Sequence, residues 1–107
     1  MLSLGRVVRL LAPRKDPGRV LEVFERVKGV AESMGCRAYL IGSWAKGKAL
    51  PASDVDILVV CRELPRRALE RGKMKARILE EAGIPDWWDV HVELVEEGSE
   101  WYYLNSQ

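Results

Sequence analysis

Apolar residues along this chain recur with two periods, and the switch between them marks out its elements. Val20, Val23, Phe24, Val27, Val30, Ala31 and Met34 follow helical spacing, which predicts an amphipathic helix. Asp16-Pro17 supplies its start, with Asp as N-cap and Pro in the first turn, and Gly35 its stop. Arg37 to Ile41 reads as a strand ending at Gly42, Ser43 to Lys48 as a short helix, and Ala49 to Ser53 as a turn containing Pro51. The apolar run from Val55 to Cys61 is a second strand. Pro65 opens a long helix with Leu69, Gly72, Ala76 and Leu79 as its expected inward face and Gly83 as its end. Val90, Val92 and Leu94 then alternate with Asp89, His91 and Glu93, the period of a half-buried third strand. Ser99-Glu100-Trp101 can start a last short helix, and residues 1–12 fit strand or helix. The order helix, strand, helix, strand, helix, strand predicts an α/β (α+β) fold with a small mixed sheet.

At 107 residues the chain is expected to form a single domain, 1–107, with one core. Its net charge of +1 hides an asymmetry. Residues 62–77 carry seven Lys or Arg against two acids, whereas Glu80 to Gln107 carry eight acids and no Lys or Arg. Such a dipolar chain suits self-association or a partner of mixed charge better than non-specific nucleic-acid binding. The basic stretch Arg66, Arg67, Arg71, Lys73, Lys75 and Arg77 has no interleaved aromatics, so a solvated helix face is expected there and not a single-strand platform. No apolar stretch is long enough to span a membrane. Leu2 to Ala12 is broken by Arg6 and Arg9 and makes a poor signal peptide, so the expected location is the cytoplasm. A single Asn and a single Gln beside abundant charged residues fit a thermophile.

Cys36 and Cys61 have no second Cys or His at metal-ligand spacing. The first expectation is two buried thiols in a reducing compartment. The alternative is a cross-strand disulfide, because Cys36 opens one predicted strand and Cys61 closes the next.

The chemistry concentrates around Gly42-Ser43 and, ten residues later, Asp54-Val55-Asp56. Alternation along a strand puts Asp54 and Asp56 on one face. Neighbouring carboxylates repel, and a cation between them relieves the repulsion. Glycine before a helix lets a phosphate approach the backbone without meeting a Cβ, and the Ser43 amide and hydroxyl can donate to phosphate oxygens. Taken singly, Gly-Ser is an ordinary strand-to-helix turn and Asp-x-Asp a polar strand entrance. Their spacing, with a further acid on the third predicted strand, points to phosphoryl or nucleotidyl chemistry.

The segment from Ile41 through Gly42-Ser43-Trp44-Ala45-Lys46-Gly47 to Ser53-Asp54-Val55-Asp56 and Val60 resembles the signature of the polymerase-β-like nucleotidyltransferases. In size the chain is most similar to their minimal (MNT) branch. The resemblance implies a single nucleotidyltransferase-fold domain that moves NMP, AMP first among them, from ATP or another NTP to a hydroxyl. It implies that Asp54, Asp56 and a third carboxylate are catalytic and bind two Mg²⁺ ions, and that Gly42 and Ser43 hold the β- and γ-phosphates. Asp89, at its strand entrance, is the expected third carboxylate, with Glu93 as the alternative. Lys46 is expected at the triphosphate, and Lys48 in solvent. His91 could be a satisfied sheet histidine or approach the metal site.

Trp44 stands where many relatives carry a polar residue, and packing is its expected role. The clustered aromatics Trp87, Trp88, Trp101, Tyr102 and Tyr103 suggest a protein interface, either a homodimer or a docked partner. The resemblance further implies a HEPN-domain partner, with this chain as the antitoxin that adenylylates its toxin. A binding module that sequesters such a partner without turnover is the alternative.

Overall fold

A computed structural model describes residues 16–50, 53–84 and 88–105. Helix α1 (Pro17–Ser33) begins where the Asp16 side chain accepts from the Arg19 amide, with Pro17 in the first turn. Val20, Val23, Val27 and Ala31 form its buried stripe, spaced for one helical face. Strand β1 (Arg37–Ile41) leads into the five-residue helix α2 (Gly42–Lys46), which Gly47 closes in a left-handed conformation. Strand β2 (Val55–Cys61), helix α3 (Ala68–Glu81), strand β3 (Val90–Glu96) and the short helix α4 (Glu100–Asn105) follow. Residues 1–12, Pro51 and Trp87, on which expectations were placed, lie outside the described residues.

The sheet order is β1-β2-β3, antiparallel between β1 and β2 and parallel between β2 and β3. This is the small mixed sheet expected. Central β2 is apolar on both sides because both of its faces are covered. Val55, Ile57, Val59 and Cys61 pack beneath α1 and α3, while Leu58 and Val60 join Ile41 and Val95 on the opposite face. Tyr103 and Leu104 of α4 lie over part of that second face. Its remainder, toward the start of β2, is polar.

Two expectations are corrected. The inward face of α3 is not Leu69, Gly72, Ala76 and Leu79: Leu69 is 69% exposed and Ile78 is fully buried. Met74, Ile78 and Ala82, four residues apart, face the core, with Leu79 at the margin. The helix starts at Ala68, after an extended Arg67, and its phase is set by these larger side chains while Gly72 and Ala76 face outward. Second, Cys36 and Cys61 are joined in a disulfide, not free thiols. The β1–β2 register explains the pairing: Arg37 opposes Val60, so one step further Cys36 opposes Cys61, with a Cα–Cα distance of 4.4 Å. That spacing matches directly opposed residues of an antiparallel pair. Among the described residues no helix is long and apolar enough to cross a membrane.

Candidate active site

The site forms where β1 ends and β2 and β3 begin. Ile41, the last residue of β1, pairs with Asp56, and Asp56 pairs on its other side with His91. Immediately after Ile41 the chain turns at Gly42 with φ +77°, a left-handed conformation that favours glycine. The turn brings the Gly42 backbone against the Asp56 carboxylate: a Cβ placed on residue 42 would stand 2.6 Å from Oδ2. Gly42 and Asp-x-Asp, fourteen residues apart at Asp56, are thus in direct contact through an antiparallel register.

The parallel register brings β3 into the same face. The Val55 amide donates to the Asp89 carbonyl at 2.8 Å, setting the strand entrances side by side. Alternation then places Asp89, His91 and Glu93 on the side of Asp54 and Asp56. His91 Nε2 lies 3.2 Å from Asp54 Oδ2. Asp89 and Glu93 are exposed, with Glu93 beside Leu58. A cavity of about 200 Å³ opens between Asp56, His91 and Glu93 on one side and Ile41 and Tyr103 on the other.

Electrostatics single out Asp56. Burial pushes its carboxyl above the ordinary range, the neighbouring Asp54 charge pushes the same way, and His91 opposes both. A carboxyl that its surroundings resist ionising is one that a cation would relieve. Among the described residues no three His, Cys, Asp or Glu side chains converge into a ready metal cage. Mg²⁺ does not ordinarily need one, since it binds through one or two carboxylates together with substrate phosphates and water. The Asp54/Asp56 pair, with the Gly42 turn packed against Asp56, fits that requirement.

Ser43 and Lys46 lie on exposed α2, as does Trp44 on its half-buried side. Trp44 does more than the packing expected of it. Its indole Nε1 donates to the Ser53 carbonyl at 3.1 Å, and the Ser53 hydroxyl in turn accepts from the Leu50 amide at 2.9 Å. Trp44 thereby ties α2 to the residue just before Asp54. The one available signal was that a partly buried indole N–H requires an acceptor.

A profile of the nucleotidyltransferase domain matches residues 22–104, spanning β1, β2, β3 and the candidate site. This chain belongs to the nucleotidyltransferase domain family. A crystal structure of a candidate nucleotidyltransferase from Sulfolobus solfataricus superposes with a TM-score of 0.59 at 28% identity, over 78% of this chain and 72% of that one. The mixed α/β arrangement is therefore a nucleotidyltransferase fold. A candidate protein adenylyltransferase from Methanocaldococcus jannaschii is 49% identical over 35 residues. That match covers 33% of this nucleotidyltransferase domain and only 24% of the relative's length.

Proposed function

We propose that this nucleotidyltransferase domain transfers NMP, with AMP the leading choice, from an NTP to a hydroxyl of a protein acceptor. The observation that carries the reading is the packing of the Gly42 turn against Asp56, with Asp54 on the same face. It sets the Gly42-Ser43 turn beside carboxylates that call for a cation, which supports a phosphate seat at this turn. The description of the M. jannaschii relative supports both AMP and a protein acceptor.

In this reading the Gly42-Ser43 turn receives the β- and γ-phosphates, and Lys46 adds positive charge from exposed α2. Asp54, Asp56 and Asp89 are the residues that would hold two Mg²⁺ ions, Asp89 favoured over Glu93 because it stands beside the entrance of β2. Bound there, Mg²⁺ would supply positive charge to offset that of the α-phosphoryl group and of the pyrophosphate leaving group. The acceptor oxygen attacks the α-phosphorus in line, the bond to the bridging oxygen of the β-phosphate breaks, and the hydroxyl proton passes to a carboxylate of the site. An NTP-consuming reaction of this kind belongs in the cytoplasm.

The partner side of the proposal rests on the family resemblance together with Trp101 and Tyr102, 61% and 65% exposed on α4. Those aromatics favour a docked protein; the resemblance points to a HEPN-domain toxin, with this chain as its antitoxin. Labelled ATP, Mg²⁺ and the product of the adjacent gene test the reading in one tube. Label on the acceptor, matched by pyrophosphate and abolished by Asp54→Asn, is the expected result. A stable complex with no transfer by either form would replace the enzyme with a sequestering module.

A further inference from the structure

Asp54 and Asp56 are held in different ways. Asp56 lies inside β2, half-buried, with a strand on each side and the Gly42 turn against its carboxylate. Asp54 precedes the strand, and its side chain is 51% exposed. Packing therefore leaves the Asp54 carboxylate free to rotate, and an exposed carboxylate does not keep one orientation unaided. Among the described residues the side chain that contacts it is His91, Nε2 to Oδ2 at 3.2 Å.

The position of that imidazole follows from the register. His91 sits directly beside Asp56, and its neighbours Val90 and Val92 point the other way, into the core cluster. Residue 91 is thus where β3 can offer a group to both carboxylates from the open face. An imidazole suits the task because it supplies a single directed N–H without the permanent charge of Lys or Arg, which would compete with a cation.

We propose that His91 is a positioning residue for Asp54: its Nε2, 3.2 Å from Oδ2, can turn its N–H onto that oxygen and hold it, so that Oδ1 is presented to the divalent cation that accompanies the nucleotide. This extends the proposed function and rests on it for the identity of the cation. Histidine–carboxylate pairs of this kind orient metal ligands, and breaking them weakens metal binding by about 10–100-fold.

Mn²⁺ alone is the probe, with affinity read by calorimetry on the intact chain. His91→Phe keeps a ring and removes the donor; His91→Gln restores an N–H at similar reach. The expected result is Mn²⁺ affinity lowered about tenfold or more by Phe and returned to within a few-fold of the parent by Gln. Because His91 is the only histidine in the chain, its ¹⁵N-labelled imidazole gives a second, independent signal. In the metal-free protein Asp54→Asn should shift the Nε2 resonance and leave Nδ1 nearly unmoved. Parent-like Mn²⁺ affinity in the Phe variant, or a Gln variant as weak as Phe with both folded by circular dichroism, would overturn the proposal, as would an imidazole spectrum indifferent to Asp54→Asn. Adenylyl transfer by the parent, measured alongside, separates the two readings. Its absence with the Mn²⁺ and ¹⁵N results intact would remove the proposed reaction and leave the positioning role.

Discussion

Gly42 and Asp56 occupy one another's space: the hydrogen on the Gly42 α-carbon points where any other residue would place a Cβ, 2.6 Å from Asp56 Oδ2. The contact exists because Ile41 and Asp56 are paired across the β1–β2 ladder. It gives the fourteen-residue separation of Gly42 from Asp56 a physical reason, since one is the wall against which the other rests.

Gly42→Ala meets two penalties. The residue must adopt φ +77°, which costs an alanine about 1–2 kcal/mol, and its Cβ must displace the Asp56 carboxylate. The expected outcome is a folded protein destabilised by at least that amount in urea titration, with nucleotidyl transfer lost. An alanine variant of parental stability and activity would show that the close approach does not matter.

Asp56 is maintained against stability. Burial first, and then the Asp54 charge, raise its carboxyl above the ordinary 3.8, so the folded chain binds this proton more tightly than the unfolded chain. Below the unfolded value both states are protonated and the group carries no penalty. As pH rises through the raised folded value, the folded state must ionise a partly buried acid, and stability falls. At neutral pH in the absence of metal, Asp56→Asn is therefore expected to raise the melting temperature while abolishing transfer, and to flatten the decline in stability on the alkaline side of the carboxyl range. Mg²⁺ should stabilise the parent by mass action and leave the Asn variant unmoved. Melting curves from pH 3 to 8, with and without Mg²⁺, check all three.

The Trp44 indole bond to the Ser53 carbonyl anchors the residue just before Asp54. Trp44→Phe keeps most of the packing and removes one hydrogen bond, an expected loss of about 1 kcal/mol. Transfer should fall by more than stability alone accounts for, because Asp54 loses its anchored approach. Equal transfer rates in Trp44→Phe and parent, measured well below both melting temperatures, would confine Trp44 to packing.

Local pattern made the strands and the shared face of Asp54 and Asp56 legible. β2 reads as an unbroken apolar run because both faces are covered, and β3 alternates because one face carries Asp89, His91 and Glu93. The phase of α3 was not legible. Its core contacts come from Met74, Ile78 and Ala82, the half-buried Arg71 and Lys75 lie along the same side, where long stems can cover apolar surface, and Leu69 stands exposed near its start. The pairing of His91 with Asp54 could not be read either, since it depends on a parallel register across a crossover. The cysteine pairing could be read only as an option: strand ends suggested it, and register decided it.

Cys36–Cys61 sits at the opposite end of the β1–β2 ladder from Gly42 and Asp56, with the pairs Arg37–Val60 through Ile41–Asp56 between them. A bridge closing a sequence separation of 25 is expected to contribute about 3–4 kcal/mol, mostly by restricting the unfolded chain. Reduction should therefore lower the melting temperature by on the order of 15 °C. The site itself should survive, because five ladder pairs and the packing under α1 hold the register once the chain is folded. A thermal melt with and without dithiothreitol, beside a Cys36→Ala/Cys61→Ala double variant indifferent to reductant, gives the measurement. Transfer at moderate temperature should be nearly equal in the oxidised and reduced forms. Two titratable thiols in the denatured, unreduced protein would remove the bridge from the account, and transfer lost on reduction while the fold persists would make the disulfide a determinant of the site and not only of its stability.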